Sequence, residues 1–116
     1  MDIHTLISMK LDVIIFKEDE GFVAYCPALD LCGCGKSEEK ARESFKTVFE
    51  EHIRFTTENQ TFIEDLKNHG WKIEGKKLNP PQISESLHKD SEFSQIFNNH
   101  DFIKRSIPVQ MPLYNA

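Results

Sequence analysis

The residues of this chain that could do chemistry are spread thinly, and their spacing forms no familiar catalytic motif. One of the five histidines, His52, lies on the apolar face of a predicted helix. A hydrogen-bonded structural role is more common in such a place than a role as a catalytic base. No serine sits in a nucleophile-elbow pattern, and no glycine-rich phosphate loop is present. The other histidines are His4, His69, His88 and His100. The sequence therefore predicts no catalytic residue and no enzyme.

Three carboxylates would form a metal-binding set only if the fold brought them together. They are Asp12, Asp30 and Glu50, and carboxylate oxygens are the ligands that hard divalent cations prefer. The chain carries 19 Asp and Glu residues, so carboxylates in it converge easily by chance. No further motif supports these three. We therefore expect no metal site and no cofactor.

The cysteines are Cys26, Cys32 and Cys34. An odd number in a chain without export features argues against a disulfide framework. A zinc site would need a fourth ligand, but Cys32-x-Cys34 is tighter than the usual spacing and no histidine lies nearby in sequence. The pattern favours small apolar residues that are buried or half-buried.

Two strands and a turn open the predicted fold. Apolar and polar residues alternate from Met9 to Glu18, and the second face of this strand is apolar in its middle, at Ile14 and Phe16. Lys17–Gly21 predicts a hairpin loop of three to five residues, with Gly21 at positive φ. The return strand covers residues 22–26. Both faces of the first strand therefore have apolar side chains to bury.

A third strand and a long helix follow. Residues 31–35 predict a strand with Gly33 and Gly35 on one face, where a helix can approach closely. Ser37 is a helix N-cap, and the helix should run to about Asn59. A capping box at Thr61 starts a short helix that ends before Gly70, and residues 71–73 predict a fourth strand. The predicted class is α+β, an antiparallel β-β-β-α-β sheet with one long helix on one face.

A boundary divides the chain near residue 79. Leu78-Asn79-Pro80-Pro81 ends any preceding strand, so we predict a domain over residues 1–78 and a C-terminal extension over 79–116. Residues 84–89 and 91–98 predict short helices, and the Pro-containing segment 107–114 predicts an edge strand or extended arm. We expect removal of 79–116 to weaken oligomerisation more than folding.

The charge balance bears on the class of partner. A formal net charge of −5 argues against a broad nucleic-acid surface, which needs clustered Lys and Arg. The basic stretch from Lys72 to Lys77 is interrupted by Glu74. An acidic surface instead suits a basic protein. No apolar run approaches a membrane span and the start lacks a signal-peptide pattern, so we expect a cytoplasmic protein without membrane contact.

Two ordered stretches give the chain a resemblance to a known family. They are Tyr25-Cys26-Pro27-Ala28-Leu29-Asp30-Leu31 and Gly35-Lys36-Ser37, followed by Glu38, Glu39 and Ala41. Over about residues 8–75 the chain resembles the HicB-like antitoxin domain. In that family an extended hairpin leads to a Pro-x-Leu turn, a Gly-x-Ser/Thr helix start and an acidic first turn with an alanine. The resemblance implies an α+β fold similar to part of the RNase H and double-stranded-RNA-binding folds.

The sequence departs from the family pattern in two places. Lys40 stands where the family commonly has a Glu that closes the helix cap. Many members also carry a helix-turn-helix or ribbon-helix-helix segment for operator DNA, and no such pattern follows Gly75. Direct DNA binding is therefore not expected.

The resemblance implies a binding protein. It would be an antitoxin that neutralises a small basic HicA-type mRNA interferase by occluding its active site and RNA-binding face. The acidic residues Glu18, Asp19, Glu20 and Asp30 would then contact the toxin. The alternative is an orphan module of the same fold, a homo-oligomer without a toxin partner or DNA-binding segment.

Self-association is a second expectation. A sheet covered by a helix on one side only would expose the apolar middle of its first strand, and exposed patches of this kind mark interfaces. Coverage by the chain's own tail is the simpler alternative. We predict an oligomer interface through the sheet surface or the arm, with the candidate residues Ile14, Phe16, Ile107, Val109, Met111 and Leu113.

Overall fold

The fold is built from antiparallel strands and one long helix. A computed structural model describes residues 5–75, 77–82 and 101–113. Its elements are β1 (Thr5–Glu18), β2 (Gly21–Cys26), β3 (Leu31–Gly35), α1 (Glu38–Glu58), α2 (Phe62–Asn68), β4 (Lys72–Glu74), β5 (Lys77–Asn79) and β6 (Phe102–Leu113). The main sheet has the order β3-β2-β1-β6, and β4 pairs with β5 in a separate two-stranded sheet. The α+β class is thus confirmed. The short helices predicted within 84–98 lie outside the described residues.

The fourth strand of the main sheet is β6, not the strand that the sequence predicts after α2. Pairing of β1 with β6 runs from Thr5↔Leu113 to Phe16↔Phe102. The predicted strand at 71–73 instead forms the short hairpin of β4 and β5. Trp71 is buried just before it and donates its indole N–H to the carbonyl oxygen of Ala28 at 2.7 Å. This contact anchors the residue before β4 to the β2–β3 turn, and β4 pairs with β5 rather than joining the main sheet.

The hairpin between β1 and β2 is tighter than the sequence suggests. Glu18 pairs directly with Gly21, so only Asp19 and Glu20 form the turn. The residue at positive φ is Asp19, with φ of 52°, because Asp tolerates the left-handed region better than most residues. Gly21 is the first residue of β2, and a Cβ there would lie 3.1 Å from the carbonyl oxygen of Gly35. The prediction of positive φ at Gly21 was therefore wrong.

Helix α1 begins after the predicted N-cap, Ser37, and packs directly against the backbone of β3. The Ser37 side chain accepts a hydrogen bond from the backbone N–H of Lys40 at 3.1 Å. A Cβ built on Gly33 would overlap the backbone nitrogen of Phe45, and one on Gly35 would lie 2.6 Å from Lys40. Only glycine permits this approach, as the sequence pattern indicates.

Two hydrophobic clusters lie on opposite faces of the main sheet, because neighbouring residues of a strand point to opposite sides. The larger cluster lies between the sheet and the helices. Its buried members are Leu11, Val13, Ile15, Ala24, Cys26, Ala28, Leu29, Ala41, Phe45, Phe49, Ile53, Phe62, Leu66, Trp71, Ile107, Val109 and Met111. The smaller cluster on the other face contains Ile14, Phe16 and Tyr25, with Val23 and Phe102 packed against it.

The C-terminal arm thus belongs to the core. Ile107, Val109 and Met111 are 3%, 8% and 0% exposed and contact the same core as Phe45 and Phe49. This corrects two expectations: these three side chains are not on an exposed interface, and residues 79–116 cannot be removed without loss of a strand and of core side chains.

Two isoleucines of β6 provide a matched test of this conclusion. Ile107 is 3% exposed and Ile103 is 48% exposed. Ile107→Ala should lower the free energy of unfolding by about 2–5 kcal/mol, because it leaves a cavity in the core. Ile103→Ala should lower it by less than about 1 kcal/mol. Denaturant unfolding followed by circular dichroism measures both, and equal effects would mean that β6 is not part of the core.

The close approach of α1 can be tested at Gly33. Gly33→Ala should destabilise the fold by about 3 kcal/mol or more, because a backbone clash cannot be relieved by a rotamer change. Gly21→Ala is the matched control, since that Cβ is tight but not overlapping; its effect should stay within about 1 kcal/mol. The midpoint of thermal unfolding reports both, and a Gly33→Ala protein as stable as the control would contradict the geometry.

Candidate functional site

The acidic tip, defined as Glu18, Asp19 and Glu20, is the exposed end of the β1–β2 hairpin. No ion pair joins any of the three to another described residue. Because no described cation pairs with them, these three adjacent carboxylates are available to a basic surface, where they would steer encounter with a positively charged protein. The tip is thus the part of the predicted partner-binding set that the structure places together.

Asp30 lies elsewhere. It follows the far end of β2, which at about 3.3 Å per residue is roughly 17 Å from the tip. Its carboxylate accepts a hydrogen bond from the Tyr25 hydroxyl at 2.8 Å, and its φ of 53° places it in the turn between β2 and β3. Asp30 therefore stabilises that turn and does not share one contact patch with the acidic tip, contrary to the predicted grouping.

The predicted interface on the second face of the sheet is already covered. Ile14 and Phe16 are 0% and 3% exposed within a single chain. Phe102, which packs against them, comes from the chain's own C-terminal strand. The expectation that this face is exposed was therefore wrong. The simpler alternative was coverage by the chain's own tail, and Phe102 provides such coverage. Leu113 ends β6 opposite Thr5, and its side chain lies outside the described atoms.

The three candidate carboxylates do not converge. Asp12 lies between the core residues Leu11 and Val13, so its side chain is on the face away from α1, where it pairs with Lys104 at 3.6 Å. Glu50 is on α1, on the other side of the sheet, and Asp30 is in a turn. Among the residues that the structure describes, no three His, Cys, Asp or Glu side chains are grouped to hold a metal ion.

The three cysteines occupy two environments. Cys26 is fully buried, and desolvation raises the pKa of its thiol from 9.0 to about 12, although backbone hydrogen bonds at Leu29 and Ala28 act in the opposite direction. Cys32 and Cys34 are exposed on β3, on the face opposite Gly33. The pKa of Cys32 is also raised, first by partial burial and then by Cys34 and Asp30. The prediction of buried or half-buried cysteines is confirmed for Cys26 and wrong for the other two.

His52 has the structural role that its position indicates. Its Nε2 lies 2.8 Å from Oδ2 of Asp65, which joins α1 to α2. His69 Nδ1 lies 2.8 Å from the carbonyl oxygen of Asp65 at the end of α2. Sequence reasoning identified His52 but not Asp65, whose only signal was its place in the first turn of a short helix. The network ties the two helices together.

A groove runs between α1 and β6. Two neighbouring cavities of about 490 and 460 Å³ share Phe49, Glu50 and Gln110. Deeper in the groove Thr57 is buried, and its hydroxyl has no hydrogen-bond partner among the described residues. Sequence reasoning missed this groove because it exists only once β6 lies alongside the helix. Its walls carry charges of both signs, such as Glu50 and Arg54, and indicate no single class of ligand.

Comparison with known proteins adds nothing to the resemblance, which therefore rests on the residues of this chain alone. The chain matches no protein-family model, no curated protein and no solved structure. None of the described helices has the length and apolar character that a membrane crossing requires.

The cysteine environments predict the order of thiol modification. In native protein at pH 8, a disulfide reagent such as DTNB should label Cys32 and Cys34, because thiolates react and both side chains are exposed. Cys26 should react only after unfolding, since burial and a raised pKa keep its thiol protonated. Mass spectrometry of the labelled peptides measures the order, and Cys32→Ser with Cys34→Ser should abolish native labelling. Rapid native labelling of Cys26 would contradict the buried position.

Proposed function

We propose that this chain is a HicB-like antitoxin, a binding protein that neutralises a small basic HicA-type mRNA interferase by occluding its active site and RNA-binding face. The observation that carries the proposal is that the two stretches of the resemblance bracket β3 and connect it to its neighbours in the order that the family pattern has. The turn after Tyr25 leads from β2 into β3 at Leu31, and α1 begins directly after β3 ends at Gly35 and packs back along it. A set of residues that keeps its order and forms consecutive connections of one fold supports a shared architecture more than any single motif does.

The packing of these two connections supports the proposal further. Pro27, Ala28 and Leu29 are buried, and the turn is held by the hydrogen bond from Trp71 to Ala28. Ala41 is 0% exposed in the first turn of α1, where a larger side chain would hold the helix away from β3. The Pro-x-Leu and alanine positions therefore have packing reasons in this chain.

The departure at Lys40 does not weaken the helix start. The Ser37 hydroxyl accepts from the backbone N–H of Lys40, a bond that does not depend on the side chain at that position. The Lys40 ammonium instead pairs with Glu43 at 3.4 Å. The hydrogen bond from the Lys40 N–H to the Ser37 hydroxyl is thus kept, without the reciprocal glutamate that many family members use.

The choice of a basic partner rests on charge. The chain has a net charge of −5, and the acidic tip presents exposed carboxylates without an ion-pair partner among the described residues. Basic RNA-cleaving proteins need cationic surfaces to hold phosphates, and an acidic protein segment competes for the same surface. On this proposal the chain contributes no chemistry of its own.

The test is purification from native cells followed by mass measurement of the proteins that co-elute. A short basic protein in stoichiometric amount is expected, and it should degrade RNA only when separated from this chain. Repeated recovery of the chain alone would overturn the antitoxin proposal in favour of the orphan module. RNA degradation by the purified chain itself, lost on Asp12→Asn or Asp30→Asn, would overturn the proposal of a pure binding protein.

Charge reversal tests the acidic tip. Glu18→Lys with Glu20→Lys should slow association with the co-eluting basic protein by roughly tenfold and reduce its salt dependence, because the tip steers encounter. Asp19 is left unchanged to preserve its backbone conformation. Glu51→Lys with Glu58→Lys on α1 is the control with the same change in charge. Stopped-flow association rates at several salt concentrations measure both, and an equal loss in the control would show that only net charge matters.

A further inference from the structure

We propose that two copies of this chain join through the part of the β1 edge that no described strand pairs with, residues 6–12, which pair antiparallel with residues 6–12 of the other copy. This edge is distinct from the acidic tip and from the sheet face and arm that the sequence suggests. The inference rests on the direction in which the backbone groups of β1 point, on an open space beside them, and on the fit of the segment to itself.

The pairing register fixes the direction of the backbone groups. Glu18 and Gly21 flank a two-residue turn, and such a pair exchanges both backbone hydrogen bonds. Counting back from Glu18, the backbone N–H and C=O groups of every second residue of β1 then point towards the side on which β2 lies. The prolines of β6 agree independently. Pro108 and Pro112 lie opposite Lys10 and Leu6, and a proline is tolerated where its nitrogen points away from the neighbouring strand.

The backbone groups of Leu6, Ser8, Lys10 and Asp12 therefore point to the β2 side of β1. Yet β2 pairs with β1 only as far as Ile14. No backbone hydrogen bond from the described residues reaches these four positions on that side. All four residues are exposed. An edge of this kind, without a proline or a bulge, is a template for another strand.

Space for a strand exists beside this edge. A cavity of about 550 Å³ opens between β1 and the β4–β5 hairpin. Its apolar lining comes from Ile7, Met9 and Leu78, and its polar lining includes Glu74 and Lys77. Ile7, Met9 and Leu78 are only partly buried in the single chain. An incoming strand with apolar residues at alternate positions would cover them.

A second copy of β1 meets these requirements. When Met9 lies on the two-fold axis, the residues whose backbone groups point away from β6 face one another across the interface, as an antiparallel ladder requires. About eight backbone hydrogen bonds then form between the two copies. Ile7 then lies opposite Leu11 of the second copy, and Lys10 lies opposite Ser8, so no like charges are directly opposed. The paired stretch fills the edge from Leu6 to Asp12 and stops before Cys26, the last residue of β2.

The other edge of the sheet is protected. On β6 the two prolines remove backbone donors from the outer side at positions 108 and 112, a common device against strand addition. This difference between the two edges favours the β1 edge as the interface. It also supplies a control, because Ser8 on β1 and Ser106 on β6 are both exposed and each has its N–H on the outer side of the β1–β6 ladder.

The experiment compares Ser8→Pro with Ser106→Pro. Neither change removes a hydrogen bond between β1 and β6, so both proteins should fold. Light scattering and sedimentation should give the wild-type chain and Ser106→Pro twice the 13.5 kDa mass of one chain at micromolar concentration. Ser8→Pro should raise the dissociation constant at least about tenfold, because the two-fold axis doubles each lost hydrogen bond. The measurement uses the chain alone, so it is independent of any toxin.

Three results would overturn the proposal: a monomeric wild-type chain at up to about 100 μM, a Ser8→Pro dimer as tight as wild type, or equal loss in the two variants. Amide hydrogen exchange keeps the test valid if Ser8→Pro fails to fold. In the wild-type chain, exchange at Leu6, Ser8, Lys10 and Asp12 should slow as concentration rises. Exchange independent of concentration at these four amides would exclude the β1 edge.

Discussion

The contact between α1 and the backbone of β3 sets the geometry of the whole fold. With no Cβ at Gly33, the backbone nitrogen of Phe45 occupies the space where a side chain would begin. The helix is thereby held close to β3, and its buried rings, Phe45 and Phe49, belong to the same core cluster as the inward side chains of β1 and β6. The same alternation that puts glycines under the helix puts Cys32 and Cys34 on the other face. One short strand thus decides both the place of the helix and the exposure of two thiols.

The length of β1 is the second constraint. It spans 14 residues, while β2 pairs with only its last five, from Ile14 to Glu18. Without β6, the apolar side chains of the first half would have no neighbouring strand. The C-terminal strand supplies that neighbour and adds Ile107, Val109 and Met111 to the core. The extension predicted from residue 79 therefore contributes a strand to the same sheet as the domain predicted over residues 1–78.

The sequence predicts what depends on neighbours along the chain. The cap at Ser37, the alternation of β1 and the glycines of β3 are local signals, and each is found in the structure. The strand that pairs with β1 could not be predicted from local signals, because β6 lies about ninety residues further along the chain. The prolines of β6 also obscure its alternation of apolar residues. The turn at Asp19 was missed because Gly21 offered a more familiar source of positive φ. Asp30 was grouped with the acidic tip by charge, although a whole strand separates them.

The fold keeps its two candidate surfaces apart. The acidic tip is at the Glu18 end of β1, and the proposed dimer edge ends at Asp12, about 20 Å away at the rise of a strand. Between them lies the four-stranded part of the sheet, whose second face is covered by the chain's own residues. A protein bound at the tip would not compete with a second copy at the edge. An antitoxin and a homo-oligomeric module are then not exclusive descriptions, because this arrangement allows one dimer to present two tips, each to its own basic partner.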